Sequence, residues 1–110
     1  SENFNQAETE LNSNGIRICL LSREVRKNGT LVELTASEFK LLRLFMENPN
    51  IVLSPEQILS RLWDCDENFI DSNTLTVYIR RLRTKIEDNP AEPRNIVTVR
   101  RMGYRWNSTD

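Results

Sequence analysis

A helix-start signal that occurs twice constrains the fold of this chain more than any other feature of its sequence. In the stretch 35–38 (Thr-Ala-Ser-Glu), the threonine hydroxyl can accept from the glutamate amide while the glutamate carboxylate reaches back to the threonine amide. The stretch 54–57 (Ser-Pro-Glu-Gln) repeats this capping box and adds proline at the first helical position, where proline is favoured. Each signal precedes apolar residues at helical spacing, so the sequence predicts two helices that each bury one face.

Short strand-like runs lie on both sides of this helical region. We predict strands at 16–21, 24–27, 30–34, 96–99 and 104–106. Asn28-Gly29 is a strong hairpin signal, and Gly103 can adopt a positive φ in a second hairpin. A third helix is predicted at about residues 72–88, where a proline-rich stretch ends it. The element order indicates a small α+β domain.

The length of 110 residues leaves room for one domain. We interpret the polar segment 1–14 as a linker or arm and 15–108 as the domain. No apolar stretch approaches the ~20 residues that a membrane span needs, and the first residues lack the features of a signal peptide. We therefore expect a cytoplasmic protein with no membrane contact.

The residue types argue against catalysis, metal binding and a cofactor. The sequence contains no histidine, and its two cysteines, Cys19 in a predicted strand and Cys65 in a predicted loop, are far apart without paired spacing. It has no glycine-rich phosphate loop and no paired nucleophile and base, and Cys65 beside two aspartates is a poor nucleophile. We expect reduced thiols, no metal, no cofactor and no enzyme.

Charge is divided unevenly along the chain. The net charge is −1, but residues 71–106 carry eight basic and four acidic residues, whereas residues 1–70 carry seven basic and eleven acidic residues. A local basic region is what phosphate groups respond to, so the overall charge does not exclude a nucleic-acid partner.

The third helix is predicted to have two different faces. Its aliphatic stripe is Leu75, Ile79, Leu82 and Ile86. The opposite sector and its flanks hold Asn73, Thr76, Val77, Tyr78, Arg80, Arg81, Arg83, Thr84 and Lys85. A solvated helix face usually mixes charges of both signs, but here four cations occur within six positions and the helix contains no acidic residue before Ile86.

These two faces are typical of a helix that reads DNA. An α-helix fits the major groove, and arginine can donate two hydrogen bonds to guanine or bind a phosphate. Geometry favours Val77, Arg80 and Arg81 for contact with bases. The hairpin tip, Arg100-Arg101, can reach the adjacent minor groove. Taken singly, each of these features is also compatible with an ordinary solvated surface.

The residues from 34 to 104 resemble the effector domain of OmpR/PhoB-type response regulators. The resemblance rests on Leu-Thr-Ala-Ser-Glu-Phe-Lys-Leu-Leu at 34–42, Leu-Thr-Val-Tyr-Ile-Arg-Arg-Leu-Arg-Thr-Lys-Ile at 75–86 and Val-Thr-Val-Arg-Arg-Met-Gly-Tyr-Arg at 97–105. It implies a winged helix-turn-helix with an N-terminal antiparallel four-stranded sheet, three helices and a C-terminal β-hairpin wing at about 96–106. The DNA contacts that it implies are Arg80, Arg81 and Arg83 on the recognition helix, with Thr98, Arg100 and Tyr104 in the wing region.

The same resemblance implies partners. The acidic loop 64–71 corresponds to a loop that contacts RNA polymerase, with Asp64, Asp66, Glu67 and Asn68 as its candidate residues, although a merely solvated loop has the same composition. Promoter DNA in direct repeats, a receiver domain in a longer chain and a sensor histidine kinase acting through that receiver are also implied. Tyr78, Asn73 and Arg101 depart from the commonest family pattern and bear on the operator sequence.

A different class of function also fits the third helix. A winged helix can bind an acidic protein instead of DNA, and the sequence leaves this protein-interaction module open as the alternative.

Overall fold

Two antiparallel sheets and three helices form the domain in the computed structural model, which describes residues 10–63 and 72–108. The strands are β1 (Glu10–Ser13), β2 (Ile16–Cys19), β3 (Glu24–Lys27), β4 (Thr30–Val32), β5 (Val52–Leu53), β6 (Ile96–Val99) and β7 (Gly103–Trp106). The helices are α1 (Ala36–Glu47), α2 (Pro55–Trp63) and α3 (Ser72–Ile86). The first four strands form a meander in the order β1-β2-β3-β4, and the second sheet has the order β5-β7-β6.

Both predicted capping boxes are present. The Thr35 amide donates to Glu38 Oε1 at 3.0 Å, and the Glu38 amide donates to Thr35 Oγ1 at 3.2 Å. At the start of α2, the Ser54 amide donates to Gln57 Oε1 at 2.9 Å and the Gln57 amide donates to Ser54 Oγ at 3.1 Å. Each box satisfies two amides at its helix start, which is why local sequence sufficed to place them.

The core lies between the four-stranded sheet, the helices and the second sheet. α1 contacts β1, α2, α3 and β7, so it is the central element of the packing. The predicted apolar faces of α1 and α3 are buried, together with alternate strand residues and Trp106. The buried apolar residues are Ile16, Ile18, Val25, Phe39, Leu41, Leu42, Leu44, Phe45, Met46, Ile58, Leu75, Ile79, Leu82, Ile86, Ile96 and Trp106.

The four-stranded sheet begins inside the segment that we predicted as a linker. β1 spans Glu10–Ser13 and pairs with β2, so the predicted boundary at residue 15 is one strand too late. The cause is an overlooked hairpin: Asn14 and Gly15 have φ values of 54° and 80°, as Asn28 and Gly29 do at 51° and 88°. Both pairs are two-residue turns whose positive φ values suit the twist of the flanking strands.

Two further boundaries differ from the prediction. β5 was not predicted, because a two-residue strand leaves no alternating pattern to detect; it pairs with β7 and makes the wing hairpin part of a three-stranded sheet. α3 ends at Ile86 and not at Asp88. The side chain of Glu87 instead binds backbone amides of the following segment, which takes the chain away from the helix axis.

Candidate nucleic-acid interface

One face of α3 is exposed between Thr76 and Thr84. The stripe formed by Leu75, Ile79, Leu82 and Ile86 is buried as predicted. On the other side Thr76, Val77, Arg80, Arg81 and Thr84 are exposed, and Tyr78 is half-buried. Val77 is an apolar residue with 42% of its surface exposed. An exposed valine one helical turn before two exposed arginines is suited to contact with the methyl groups and edges of bases.

Arg80 and Arg81 carry the free positive charge of this face. Within residues 10–63 and 72–108, neither guanidinium forms an ion pair with a carboxylate. The guanidinium carbon of Arg81 lies 5.7 Å from the centroid of the Tyr78 ring, a cation–π contact that leaves its N–H groups available. The Thr84 hydroxyl donates to the Arg80 carbonyl at 3.0 Å, so its oxygen can still accept a hydrogen bond.

Lys85 does not belong to the free cationic surface. Its ammonium lies 2.6 Å from Glu38 Oε1, and the Glu38 side chain is only 2% exposed. The prediction that all four cations of this helix lack a neutralising anion is therefore wrong for Lys85, because the carboxylate comes from α1. The same oxygen of Glu38 accepts from the Thr35 amide, so one carboxylate caps α1 and holds α3 against it.

The wing presents two cations at its tip. β6 and β7 pair in register, with Val99 opposite Gly103, and the Met102 amide donates to the Val99 carbonyl at 2.9 Å to close the turn. Arg100 and Arg101 are both exposed. Arg101 has a φ of 66°, in the left-handed region that glycine occupies most readily.

Arg83 joins the two halves of the surface. Its Nε and Nη2 donate to the Ile96 carbonyl at 3.1 and 2.8 Å, and Nη2 also donates to Thr98 Oγ1 at 2.8 Å. Its guanidinium carbon lies 5.8 Å from the centroid of the half-buried Tyr104 ring. Burial lowers the pKa of Arg83, because removal from water disfavours the charged form, but a guanidinium remains protonated at neutral pH.

Glu87 was missed by the sequence analysis. The residue is 6% exposed, and its carboxylate accepts from the amides of Arg94, Asn95 and Ile96 at 2.8 to 3.1 Å. These bonds attach the segment before β6 to the end of α3. The available signal was its position four residues after Arg83, which places both side chains on one face of a helix.

Several predicted site residues cannot be placed. The side chain of Asn73 lies outside the described residues, although its backbone is part of α3. The predicted polymerase-contact residues Asp64, Asp66, Glu67 and Asn68 also lie outside them, as does Cys65. The other predicted thiol, Cys19, is the last residue of β2.

Neither a metal-binding cluster nor a membrane-spanning helix occurs among the residues that the structure describes. No group of three or more histidine, cysteine, aspartate or glutamate residues is placed to hold a metal ion in that part of the chain. None of the helices described is both long and apolar enough to cross a bilayer.

The four-stranded sheet, the three helices and a terminal hairpin held beside the exposed face of the last helix define a winged-helix domain. A family model described as "Transcriptional regulatory protein, C terminal" matches residues 29–106. The chain therefore belongs to this family, and it is a DNA-binding output domain of the OmpR/PhoB type.

Individual relatives agree with this assignment. The chain is 46% identical over 81 residues to the uncharacterized transcriptional regulatory protein YcbL of Bacillus subtilis, over 74% of this chain and 35% of YcbL. Response regulator DrrB of Thermotoga maritima, described as an OmpR/PhoB homologue, superposes with a TM-score of 0.81 at 27% identity, over 91% of this chain and 45% of DrrB. The chain thus spans less than half of either protein.

A solved complex contains a domain of the same size. The DNA-binding domain of RstA from Klebsiella pneumoniae, determined in complex with the RstA box, superposes with a TM-score of 0.78 at 28% identity. The match covers 89% of this chain and 96% of that one.

Proposed function

We propose that this domain recognises promoter DNA by placing α3 in the major groove while the β6–β7 hairpin contacts the adjacent minor groove. Val77, Arg80 and Arg81 would contact bases, and Thr76, Tyr78 and Thr84 would border them. Arg100 and Arg101 would contact the backbone at the minor groove, with Thr98 and Tyr104 at the base of the wing. The side chain of Asn73 remains a further candidate.

The observation that carries the proposal is the presence of exposed cations on both α3 and the wing. Arg80 and Arg81 are exposed on α3 without a carboxylate partner among the described residues, and Arg83 binds β6 at the base of the wing that carries the exposed Arg100 and Arg101. Free cations on both a helix and a hairpin match a polyanion that presents two adjacent grooves. Exposed Val77 adds an apolar contact that a purely electrostatic surface would not need.

Salt titration tests the proposal directly. A sequence selected by the domain from a random duplex pool is labelled, and the dissociation constant is measured by fluorescence anisotropy between about 50 and 200 mM salt. We expect the logarithm of the association constant, the reciprocal of this dissociation constant, to fall linearly with the logarithm of the salt concentration, with a slope near −0.9 for each phosphate contacted. Failure to bind any duplex across this range would contradict the proposal and favour the protein-interaction module.

Arginine substitutions distinguish residues that contact bases from residues that contact phosphates. We expect Arg80→Ala to reduce the preference for the selected sequence over a scrambled duplex by about 1–3 kcal/mol, the range for losing a bidentate base contact. Arg100→Ala should instead weaken binding to the selected and the scrambled duplex by similar factors, because a phosphate contact carries no sequence information.

Arg26→Ala is the control for these variants. Arg26 is an exposed arginine on β3 in the other sheet, so its substitution removes the same charge away from the proposed interface. We expect it to leave the affinity for both duplexes nearly unchanged. An Arg80→Ala variant that keeps its full sequence preference would remove Arg80 from the set of base-reading residues.

The role of the whole protein follows from the same proposal. The domain would serve as the output of a response regulator, with a receiver domain and a sensor histidine kinase upstream and RNA polymerase contacted through the acidic residues 64–71. It would bind direct repeats and act where the regulated DNA lies, which in a bacterial cell is the cytoplasm. Residues 1–9 would belong to the interdomain linker, and no catalytic step is assigned to the domain.

A further inference from the structure

The backbone N–H and C=O of Ile96, the first residue of β6, are both bound by side chains at the C-terminal end of α3: Glu87, which directly follows the helix, and Arg83, which lies in its last turn. The N–H of Ile96 donates to Glu87 Oε2 at 2.8 Å, and its C=O accepts from Arg83 Nη2 at 2.8 Å. Arg83 and Glu87 are four residues apart, one helical turn, and the Glu87 amide donates to the Arg83 carbonyl at 2.9 Å. The wing therefore begins at a residue whose backbone donor and acceptor are both bound at the end of α3.

These contacts have fixed geometry. The guanidinium of Arg83 is planar, and two of its nitrogens meet the Ile96 carbonyl while one of them also reaches Thr98. The carboxylate of Glu87 is buried and receives amides from three consecutive residues. A buried carboxylate with several charge-assisted hydrogen bonds resists displacement, because moving it leaves groups unpaired.

We propose that Arg83 and Glu87 are positioning residues that set the separation between the recognition helix and the wing, and thereby determine whether both contact DNA at once. This inference rests on the proposed function. Arg83 then contributes mainly through its bonds to β6, in contrast to the role of a direct contact that the resemblance implies. Glu87, which is an anion and would repel a phosphate, contributes to DNA affinity only through geometry.

The sign of the charge change makes this inference testable. Glu87→Gln removes a negative charge, which by electrostatics alone strengthens binding to a polyanion. A positioning role predicts weaker binding. Arg83→Lys keeps the positive charge but replaces the fork with a single ammonium that cannot meet the same acceptors in the same geometry. A residue that acts only as a charge would tolerate this change.

The chain offers a matched control pair. Arg43 and Glu47 have the same i,i+4 spacing on α1, with Arg43 Nε 3.0 Å from Glu47 Oε2, but this pair is exposed and does not bind the wing. Glu47→Gln and Arg43→Lys therefore repeat both chemical changes at an ordinary surface ion pair. We expect both control variants to bind DNA within about twofold of the parent protein.

The experiment is a double-mutant cycle with Arg100→Ala, measured by anisotropy on the labelled selected duplex. In the parent protein we expect Arg100→Ala to weaken binding about tenfold. The Glu87→Gln and Arg83→Lys variants should each bind DNA several-fold more weakly than the parent. In these two backgrounds Arg100→Ala should lower the affinity by only about twofold or less, because the wing is no longer held at the DNA. The salt slope should fall to that of the Arg100→Ala variant in both backgrounds.

The inference would be overturned if Arg100→Ala weakened DNA binding by the same factor in the variant backgrounds as in the parent protein. It would also be overturned if Glu87→Gln bound DNA more tightly than the parent protein, to the same extent as Glu47→Gln. Circular dichroism melts identify a variant that does not fold, and in that case the partly exposed Arg83→Lys change alone decides. Failure of the parent protein to bind the duplex would instead contradict the proposed function. The two failures are therefore distinguishable.

Discussion

Replacing Gly103 with alanine is expected to cost roughly 3 kcal/mol or more of the free energy of unfolding, because the new methyl group has no space. A Cβ at this position would lie 2.1 Å from the Leu53 carbonyl oxygen and 2.9 Å from the Ser54 Cα, both of them backbone atoms. The φ of 141° adds strain for any residue with a side chain. β7 would have to move away from β5, and the wing would move with it.

Gly29→Ala is the control for this prediction. Gly29 also has a positive φ, 88°, but a Cβ there meets nothing within 4 Å. We expect its alanine variant to lose only about 1 kcal/mol, the cost of the backbone conformation alone. Urea unfolding of both variants measures the difference, and anisotropy should show weaker DNA binding for Gly103→Ala only. Equal losses of stability would contradict the close approach of β7 to β5.

Trp106→Ala is expected to lose about 3–5 kcal/mol, which is a large part of the stability of a small domain. Trp106 is 0% exposed and packs in the core at the end of β7. Its indole N–H donates to Ser13 Oγ at 2.9 Å, and its carbonyl accepts from the Asn50 amide at 2.7 Å. The side chain therefore links the wing sheet to β1.

Ser13→Ala measures the contribution of the Trp106–Ser13 hydrogen bond to stability separately from the contribution of burying the indole ring. This change keeps the indole in place but leaves its buried N–H without the Ser13 acceptor, which should cost about 1–3 kcal/mol. Thermal and urea unfolding of both variants give the comparison. A Trp106→Ala loss no larger than that of Ser13→Ala would show that burial of the ring contributes little.

The helices and their buried faces could be predicted from the sequence because their signals are local. A capping box spans four residues, and an apolar stripe repeats within a single helix, so neither depends on a distant partner. The Asn28-Gly29 hairpin is equally local. The same signal at Asn14-Gly15 could have placed β1, but the polar composition of residues 1–14 led us to assign that segment to a linker.

The short strand β5 gave no comparable signal. Two residues cannot show an alternating pattern, and Val52 and Leu53 form a strand only because β7 lies beside them. The end of α3 was misplaced for a related reason. Glu87 and Asp88 are compatible with a helix, but the carboxylate of Glu87 binds amides seven to nine residues further along the chain.

The sequence by itself determined that a helix at about 72–88 would have one aliphatic face and one cationic face. Only the tertiary structure decided what each cation does: Glu38 of α1 neutralises Lys85, β6 binds Arg83, and Arg80 and Arg81 remain exposed. The periodicity of a helix follows from neighbouring residues, so it can be predicted from the sequence. The partner of a charge is set by which distant segments the core brings within hydrogen-bond distance, and that information is absent from local spacing.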